Sequence, residues 1–324
     1  MGLGLREKFF VCRQEEVRFA NGDVSLAGTL FLPPSAGPHP AVVVVHGSGR
    51  ETRKSDYSFY ARLLARHGVA GLAYDKRGAG ASGGDTYGTD YAGYAQDAFA
   101  AVRMLRERPD IDPLRVGILG ISEGEWVGLI AATSEPAVSF LAVFSACGTT
   151  PAKQVAAEME AKLRARGHSE ETIQRALALN EQVYAYQRTG REGNMLVSAL
   201  QAARVEPWFR DAEDIPDEVY APEEYNWWRS VMDFDPAPLW ERVRVPVLVI
   251  KGGRDPKYPA EEMRRNIETA LRRGGNNSYR IIILPGADHP LLEWPLGKGV
   301  PPPVFAAGHP EALVSWVRER VGFD

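Results

Sequence analysis

Residues 117–126 read GILGISEGEW, an apolar run that stops abruptly at a serine placed between two glycines. The run before the serine is typical of a buried strand, and the residues after it are typical of a helix. A Gly-x-Ser-x-Gly turn between a strand and a helix needs small neighbours and holds the serine hydroxyl clear of the sheet edge. Gly120 and Gly124 supply those neighbours, so Ser122 is a candidate nucleophile.

A second stretch of the chain, residues 78–84, matches two motifs whose context does not fit. GASGG contains Ser82 in the same five-residue pattern, but the loop DTYGTD follows it instead of a helix. GAGASG matches the glycine pattern of a dinucleotide site, which should close a strand and open a helix directly. Asp75-Lys76-Arg77 intervenes after the preceding strand. We therefore favour neither Ser82 as a nucleophile nor a dinucleotide cofactor.

The bulk properties are those of an ordinary globular protein. The chain has 324 residues, of which 44% are hydrophobic and 25% charged, with a net charge of −4. That charge argues against a nucleic-acid partner, and the N-terminal MGLGLREKFFVCRQEEVRF predicts neither a signal peptide nor a membrane span. Two cysteines without zinc-ligand spacing fit a reducing compartment. We expect a cytoplasmic protein that does not bind membranes.

The order of the predicted elements indicates an α/β fold. The segments EEVRFAN and SLAGTLFLP alternate apolar and polar residues around a turn signal, which predicts an antiparallel pair. From AVVVVHG onward, buried strands alternate with amphipathic helices, which predicts crossover connections and a mostly parallel sheet. The alternation stops at Thr150 and resumes near Val245. We therefore predict a core from residues 1–150 and 239–324, and a helical cap insertion from 151–238.

A serine nucleophile requires a base, and the base requires an acid that orients it. Asp255 follows the predicted strand VPVLVIKGG, and His289 follows SYRIIILPG. In a parallel sheet, residues at these strand ends lie at the same edge as Ser122. Asp288 adjoins His289, but neighbouring side chains usually diverge, so we favour Asp255 as the acid. The other five histidines lie before or between early elements, in a turn, in the insertion or at the last helix.

Stabilisation of the developing oxyanion requires two hydrogen-bond donors near the serine. One candidate donor is the backbone N–H of Glu123, the residue after the nucleophile. The other comes from the turn HGSG after AVVVVHG, where we favour Ser48 and keep Gly49 as the alternative.

Together, AVVVVHGSG, YDKRGAGASGG, GILGISEG, VLVIKGGRD and PGADH resemble the α/β-hydrolase superfamily. The resemblance is to its serine esterase and peptidase-like branch, related to dienelactone-hydrolase and prolyl-oligopeptidase-type catalytic domains. It covers roughly residues 15–150 and 240–322. The resemblance implies an eight-stranded, mostly parallel sheet, a Ser122-Asp255-His289 triad and a cap formed by the insertion. Relatives often have glycine where this chain has Glu125. That side chain either places a carboxylate near the Ser122 turn or faces solvent on the first helical turn, and we favour the second.

The aromatic residues of the insertion offer candidate substrate contacts. Trp208, Trp227 and Trp228 lie in a section rich in tyrosine and tryptophan, which predicts an apolar pocket above the serine, although such rings also join a cap to its core. We favour a carboxylesterase for small or medium esters, with an aminopeptidase or amidase as the alternative. A catalytically silent binding module is the third hypothesis. We expect a small-molecule ester or amide substrate and no metal or cofactor, and we leave the oligomeric state open, including a homodimer.

Overall fold

The first two described strands form an antiparallel hairpin at one edge of the sheet. The structure is a computed structural model that describes residues 12–295 and 303–323. Strand β1 (Arg13–Asn21) pairs with β2 (Val24–Leu32) along its whole length. The two-residue turn between them contains Gly22 at φ +55°, a backbone conformation that glycine adopts without strain. The predicted antiparallel pair is confirmed.

The remaining strands of the main sheet are parallel to one another. They are β3 (His39–Val45), β4 (Ala70–Tyr74), β5 (Ile111–Ile121), β6 (Leu141–Phe144), β7 (Val247–Gly252) and β8 (Tyr279–Leu284). The order across the sheet is β1-β2-β4-β3-β5-β6-β7-β8. Strands β5, β6, β7 and β8 are therefore successive neighbours, and their carboxyl ends share one edge. The predicted eight-stranded, mostly parallel sheet of an α/β-hydrolase fold is confirmed.

Helices cover both faces of this sheet because its central strands are buried on both sides. Helices α2 (Tyr91–Arg106), α3 (Gly124–Ser134) and α9 (Ala260–Arg273) pack against one face. Helices α1 (Asp56–Arg66) and α10 (His309–Arg320) pack against the other. Alternate valines of β3 enter the two clusters, Val43 and Val45 on one side and Val42 and Val44 on the other. Every residue of β3 is accordingly buried.

The segment between β6 and β7 is helical, and its described residues contain no strand. Its helices are α4 (Pro151–Ala165), α5 (Glu170–Thr189), α6 (Gly193–Ala203), α7 (Asn226–Val231) and α8 (Ala237–Arg242). Met159, Leu179, Leu196 and Trp208 belong to a hydrophobic cluster formed within this segment. We call residues 151–238 the helical segment. Its role as a separate cap domain stays a prediction.

Two further details complete the described chain. A small antiparallel pair, β9 (Leu292–Glu293) and β10 (Val304–Phe305), follows the loop that contains His289. Two residues per strand are too few for a periodic pattern, so the sequence did not predict this pair.

No described helix is both long and apolar enough to cross a membrane. Residues 1–11, on which much of the signal-peptide prediction rests, lie outside the described residues.

Candidate active site

The turn after β5 holds Ser122 in a conformation that few non-glycine residues adopt. Its φ is +57°, and its N–H donates to the carbonyl of Phe144 at 2.9 Å. A Cβ atom on Gly120 would lie 2.1 Å from the carbonyl oxygen of Gly124, and one on Gly124 would lie 2.7 Å from that of Val45. These distances are too short for any side chain, so the tight strand-to-helix turn requires both glycines.

Three side chains from separate strand ends form one continuous hydrogen-bonded chain. Nε2 of His289 lies 3.0 Å from Oγ of Ser122, and Nδ1 of the same ring lies 2.7 Å from Oδ2 of Asp255. His289 follows β8, Ser122 follows β5 and Asp255 follows β7. Asp288, the alternative acid, instead accepts hydrogen bonds from the Leu292 N–H and from Nε1 of Trp294. The structure thus brings together the three residues that the sequence singled out.

A buried lysine holds the Asp255 carboxylate from the other side. Nζ of Lys251 lies 2.6 Å from Oδ2 of Asp255, and the side chains of both residues are 0% exposed. The backbone N–H of Lys257 donates to Oδ1 at 2.9 Å. Burial by itself would raise the pKa of the Asp255 carboxyl, but the His289 hydrogen bond and the Lys251 charge hold it below its ordinary value. The carboxylate is therefore kept ionised beside the imidazole.

Ser145 positions the backbone of the histidine loop. This residue follows β6, has φ +57°, and donates from Oγ to the carbonyl of His289 at 2.5 Å. Sequence reasoning missed both Ser145 and Lys251. For Lys251 a signal was present, since a charged residue interrupts the apolar run VLVIKGG. For Ser145 there was none, because a serine at the end of a strand is unremarkable without its partner.

The candidate oxyanion donors lie on two turns beside the serine. Ser48 and Ser122 line the same cavity, whereas Gly49 is not among its described lining residues. The N–H groups of Ser48 and Glu123 donate to no other described residue. Gly47, just before Ser48, donates its N–H to the Tyr57 hydroxyl at 2.9 Å. The backbone N–H groups of Ser48 and Glu123 are thus uncommitted among the described residues, as the oxyanion prediction requires.

The expectation that Glu125 faces solvent is wrong. Its side chain is completely buried and accepts hydrogen bonds from the N–H groups of Cys147 and Gly148 at 2.7 and 3.0 Å. Nε1 of Trp240 donates to the same carboxylate at 3.2 Å. Burial raises the pKa of Glu125, and these three donors oppose the rise. The carboxylate therefore ties α3 to residues that flank the helical segment on both sides, Cys147 and Gly148 before it and Trp240 after it.

None of the three predicted substrate-binding tryptophans is among the described residues that line the Ser122 cavity. Trp208 is buried in the hydrophobic cluster of the helical segment. Trp227 donates from Nε1 to the carbonyl of Thr89 at 3.0 Å, and Trp228 packs beside Tyr184. The rings join the helical segment to itself and to the core. These positions give the predicted role in substrate binding no support.

The cavity above Ser122 has a volume of about 370 Å³. Tyr57, Tyr60 and Ile121 contribute apolar surface to it, and Glu51 and Asp56 contribute carboxylates. Among the described residues, no group of three or more histidine, cysteine or acidic side chains is arranged to hold a metal ion. The chemistry that this site offers through its own residues is that of a hydroxyl, an imidazole and a carboxylate in series.

Residues 42–297, which make up most of the chain, match the model of the alpha/beta hydrolase family. The chain belongs to this family. Esterase EstD from Thermotoga maritima is 26% identical over 89% of this chain and 63% of its own length. Mouse mitochondrial acyl-coenzyme A thioesterase 2 is 27% identical over 81% of this chain and 47% of its own length. The chain thus spans less than two thirds of the length of these curated relatives.

Solved structures show the same fold. The alpha/beta hydrolase GrgF from Penicillium sp. sh18 superposes with a TM-score of 0.60 at 20% identity, covering 96% of this chain and all of that one. At this identity the likeness concerns the fold alone. The curated relatives named here are an esterase and a thioesterase, and at this identity they leave the substrate class of this chain open.

Proposed function

We propose that this alpha/beta hydrolase is a serine carboxylesterase that uses Ser122, His289 and Asp255 as its catalytic triad. The observation that carries the proposal is the 3.0 Å separation between Oγ of Ser122 and Nε2 of His289 inside a cavity open to a small ligand. A base must lie within hydrogen-bond reach of the proton that it removes, and this distance meets that condition. The esterase and thioesterase relatives support acyl-group chemistry at such a site.

In this mechanism Nε2 of His289 removes the Ser122 proton while Oγ attacks the ester carbonyl carbon. Asp255 accepts a hydrogen bond from Nδ1–H, which sets the tautomer and stabilises the imidazolium. The N–H groups of Glu123 and Ser48 hold the tetrahedral oxyanion. His289 then protonates the departing alkoxide, and an acyl-serine remains. Water attacks this acyl-enzyme with the same histidine as base, which releases the carboxylic acid and restores Ser122.

The cavity favours a small or medium uncharged ester over an acyl-coenzyme A. Its volume of about 370 Å³ lies near the lower end of small-molecule sites. Glu51 and Asp56 line it, and two carboxylates repel the phosphates of coenzyme A. Lys257, a cation on the same cavity, is paired with Glu158 at 2.7 Å. We therefore expect this site to favour esters over acyl-coenzyme A thioesters, the substrates named for one relative.

An aminopeptidase or amidase is the second candidate, and one observation favours it. The same carboxylates of Glu51 and Asp56 could bind the free amine of an amino-acyl substrate. The chemistry of the site is otherwise the same, because an amide and an ester pass through the same kind of tetrahedral intermediate.

The test compares three chromogenic or thiol-releasing substrates on one preparation: p-nitrophenyl butyrate, alanyl-p-nitroanilide and butyryl-coenzyme A. We expect the butyrate ester to give the highest kcat/KM, with labelling of the wild-type protein by a fluorophosphonate and none of Ser122→Ala. Faster turnover of the anilide or of the thioester would replace the proposed specificity with that of the corresponding substrate. A folded wild-type protein with neither labelling nor turnover would favour the binding module.

A further inference from the structure

A second buried lysine, Lys76, joins the two turns that carry the candidate oxyanion donors. It follows β4 and is 4% exposed. Its Nζ donates to the carbonyl oxygen of Gly47 at 3.0 Å and to Oε1 of Glu123 at 2.5 Å. Gly47 precedes Ser48, and Glu123 itself supplies the other donor. The ammonium group of Lys76 thus contacts one candidate donor residue, Glu123, and the residue just before the other, Gly47.

The contact with Gly47 determines where the Ser48 N–H points. The carbonyl of residue 47 and the N–H of residue 48 belong to the same planar, trans peptide unit, so they point in opposite directions. Because Lys76 binds that carbonyl from the protein interior, the Ser48 N–H is directed away from the interior. Ser48 lines the cavity with Ser122, so the cavity is the side to which this N–H is free to point. An unanchored glycine turn would let this peptide rotate.

The contact with Glu123 holds the other donor. The Glu123 side chain is 1% exposed and makes no hydrogen bond that caps α3, and its Oε1 accepts the hydrogen bond from Lys76. Burial raises the pKa of this carboxyl, and the Lys76 ammonium opposes the rise. Nζ of Lys76 also lies 4.4 Å from the ring centroid of Tyr94, which offers a favourable face to a desolvated cation. Nζ of Lys76 is therefore contacted by a carbonyl oxygen, a carboxylate oxygen and an aromatic face, whereas Oε2 of Glu123 is buried without a hydrogen-bond partner among the described residues.

We infer that Lys76 is a positioning residue that sets the distance and direction of both oxyanion donors by bridging Gly47 and Glu123. The inference rests on the proposed serine-hydrolase function, whichever acyl substrate is preferred. Lys76 does not touch the substrate. It acts through the two turns, and oxyanion stabilisation depends steeply on donor geometry.

The test separates this role from simple structural support. In Lys76→Met we expect kcat for p-nitrophenyl butyrate to fall about 100-fold, the scale of a misplacement of about 1 Å. KM should stay within about threefold, because ground-state contacts are untouched. The inhibition constant of a trifluoromethyl ketone, whose adduct carries an oxyanion, should rise in parallel with the loss in kcat/KM. The matched control is Lys153→Met, which removes an exposed lysine of α4.

A double variant keeps the test decisive if Lys76→Met alone is unstable. Lys76→Met combined with Glu123→Leu replaces the buried ion pair by apolar groups, an exchange that is often neutral for stability. We expect the free energy of unfolding to return toward the wild-type value while kcat stays about 100-fold low. Recovery of kcat together with stability would overturn the inference, as would normal kcat in Lys76→Met. A wild-type protein that turns over none of the three substrates would overturn the proposed function as well.

Discussion

Lys251 and His289 bond to the same oxygen of the Asp255 carboxylate. Nζ of the lysine lies 2.6 Å and Nδ1 of the histidine 2.7 Å from Oδ2. The lysine side chain is completely buried, so its charge is balanced inside the protein by this carboxylate and not by water. The proposed catalytic acid is thus also one half of a structural ion pair.

This pair predicts that Lys251→Met destabilises the fold. Removing one partner leaves the Asp255 charge buried and unbalanced, which costs about 3–5 kcal/mol in the free energy of unfolding. Urea denaturation at neutral pH measures the change. The double variant Lys251→Met with Asp255→Leu should recover part of the loss, because it removes both charges. A value for Lys251→Met within about 0.5 kcal/mol of wild type, the range for exposed positions such as Lys153, would contradict the prediction.

The assignment of the acid predicts different effects of substitutions at Asp255 and Asp288. Asp255→Asn should lower kcat for the preferred ester about 100- to 10,000-fold, because the imidazole loses the anion that orients it and stabilises its cation. Asp288→Asn should keep kcat within about tenfold of wild type, because that carboxylate binds Leu292 and Trp294 instead of the ring. Unfolding is measured in parallel, since Asp255→Asn also removes the partner of Lys251. The reverse order of effects would move the acid role to Asp288.

The burial of Glu125 predicts a structural loss when its carboxylate is removed. In Glu125→Leu the N–H groups of Cys147 and Gly148 keep no acceptor, which costs about 2–4 kcal/mol in the free energy of unfolding. Glu107→Ala, at an exposed position, is the control and should change it by less than about 0.5 kcal/mol. Equal stability of Glu125→Leu and wild type in urea denaturation would mean that these amides find other partners.

His46 predicts a loss of stability in mild acid. Burial lowers its pKa to about 3 from an ordinary value of 6.5. Below pH 6.5 the unfolded chain therefore takes up a proton that the folded protein accepts only near pH 3, so the free energy of unfolding falls as the pH falls through this window. From about pH 7.5 to about pH 5 the loss is about 2 kcal/mol.

Urea denaturation of wild type and His46→Gln at about pH 7.5 and about pH 5 isolates this contribution. The wild type should lose about 2 kcal/mol more than His46→Gln between the two conditions. His67→Gln, which changes an exposed histidine, should follow the wild type. Parallel losses in wild type and His46→Gln would show that the imidazole is accessible to protons in the folded state.

Periodicity and strand ends were enough to predict the sheet and to select three site residues. Period-2 and continuous apolar runs report how a segment is buried, and this is a local property. Parallel strands place their carboxyl ends at one edge, so Ser122, Asp255 and His289 could be grouped without coordinates. The same reasoning failed for Glu125, because a charged residue on a first helical turn is usually solvated. It also predicted that Trp208, Trp227 and Trp228 line the pocket above Ser122, and none of them is among the described lining residues of that cavity.

The amino-acid sequence by itself determined the alternation of strands and helices, the two glycines that the Ser122 turn requires, and the order of the site residues along the chain. The tertiary structure alone decided that Lys76 bridges Gly47 and Glu123 and that Lys251 binds Asp255. The charge of Lys251 interrupts an apolar run and so marks a buried position, but the local pattern does not show which group balances a buried charge, because packing decides that. Such pairing is a property of the assembled core.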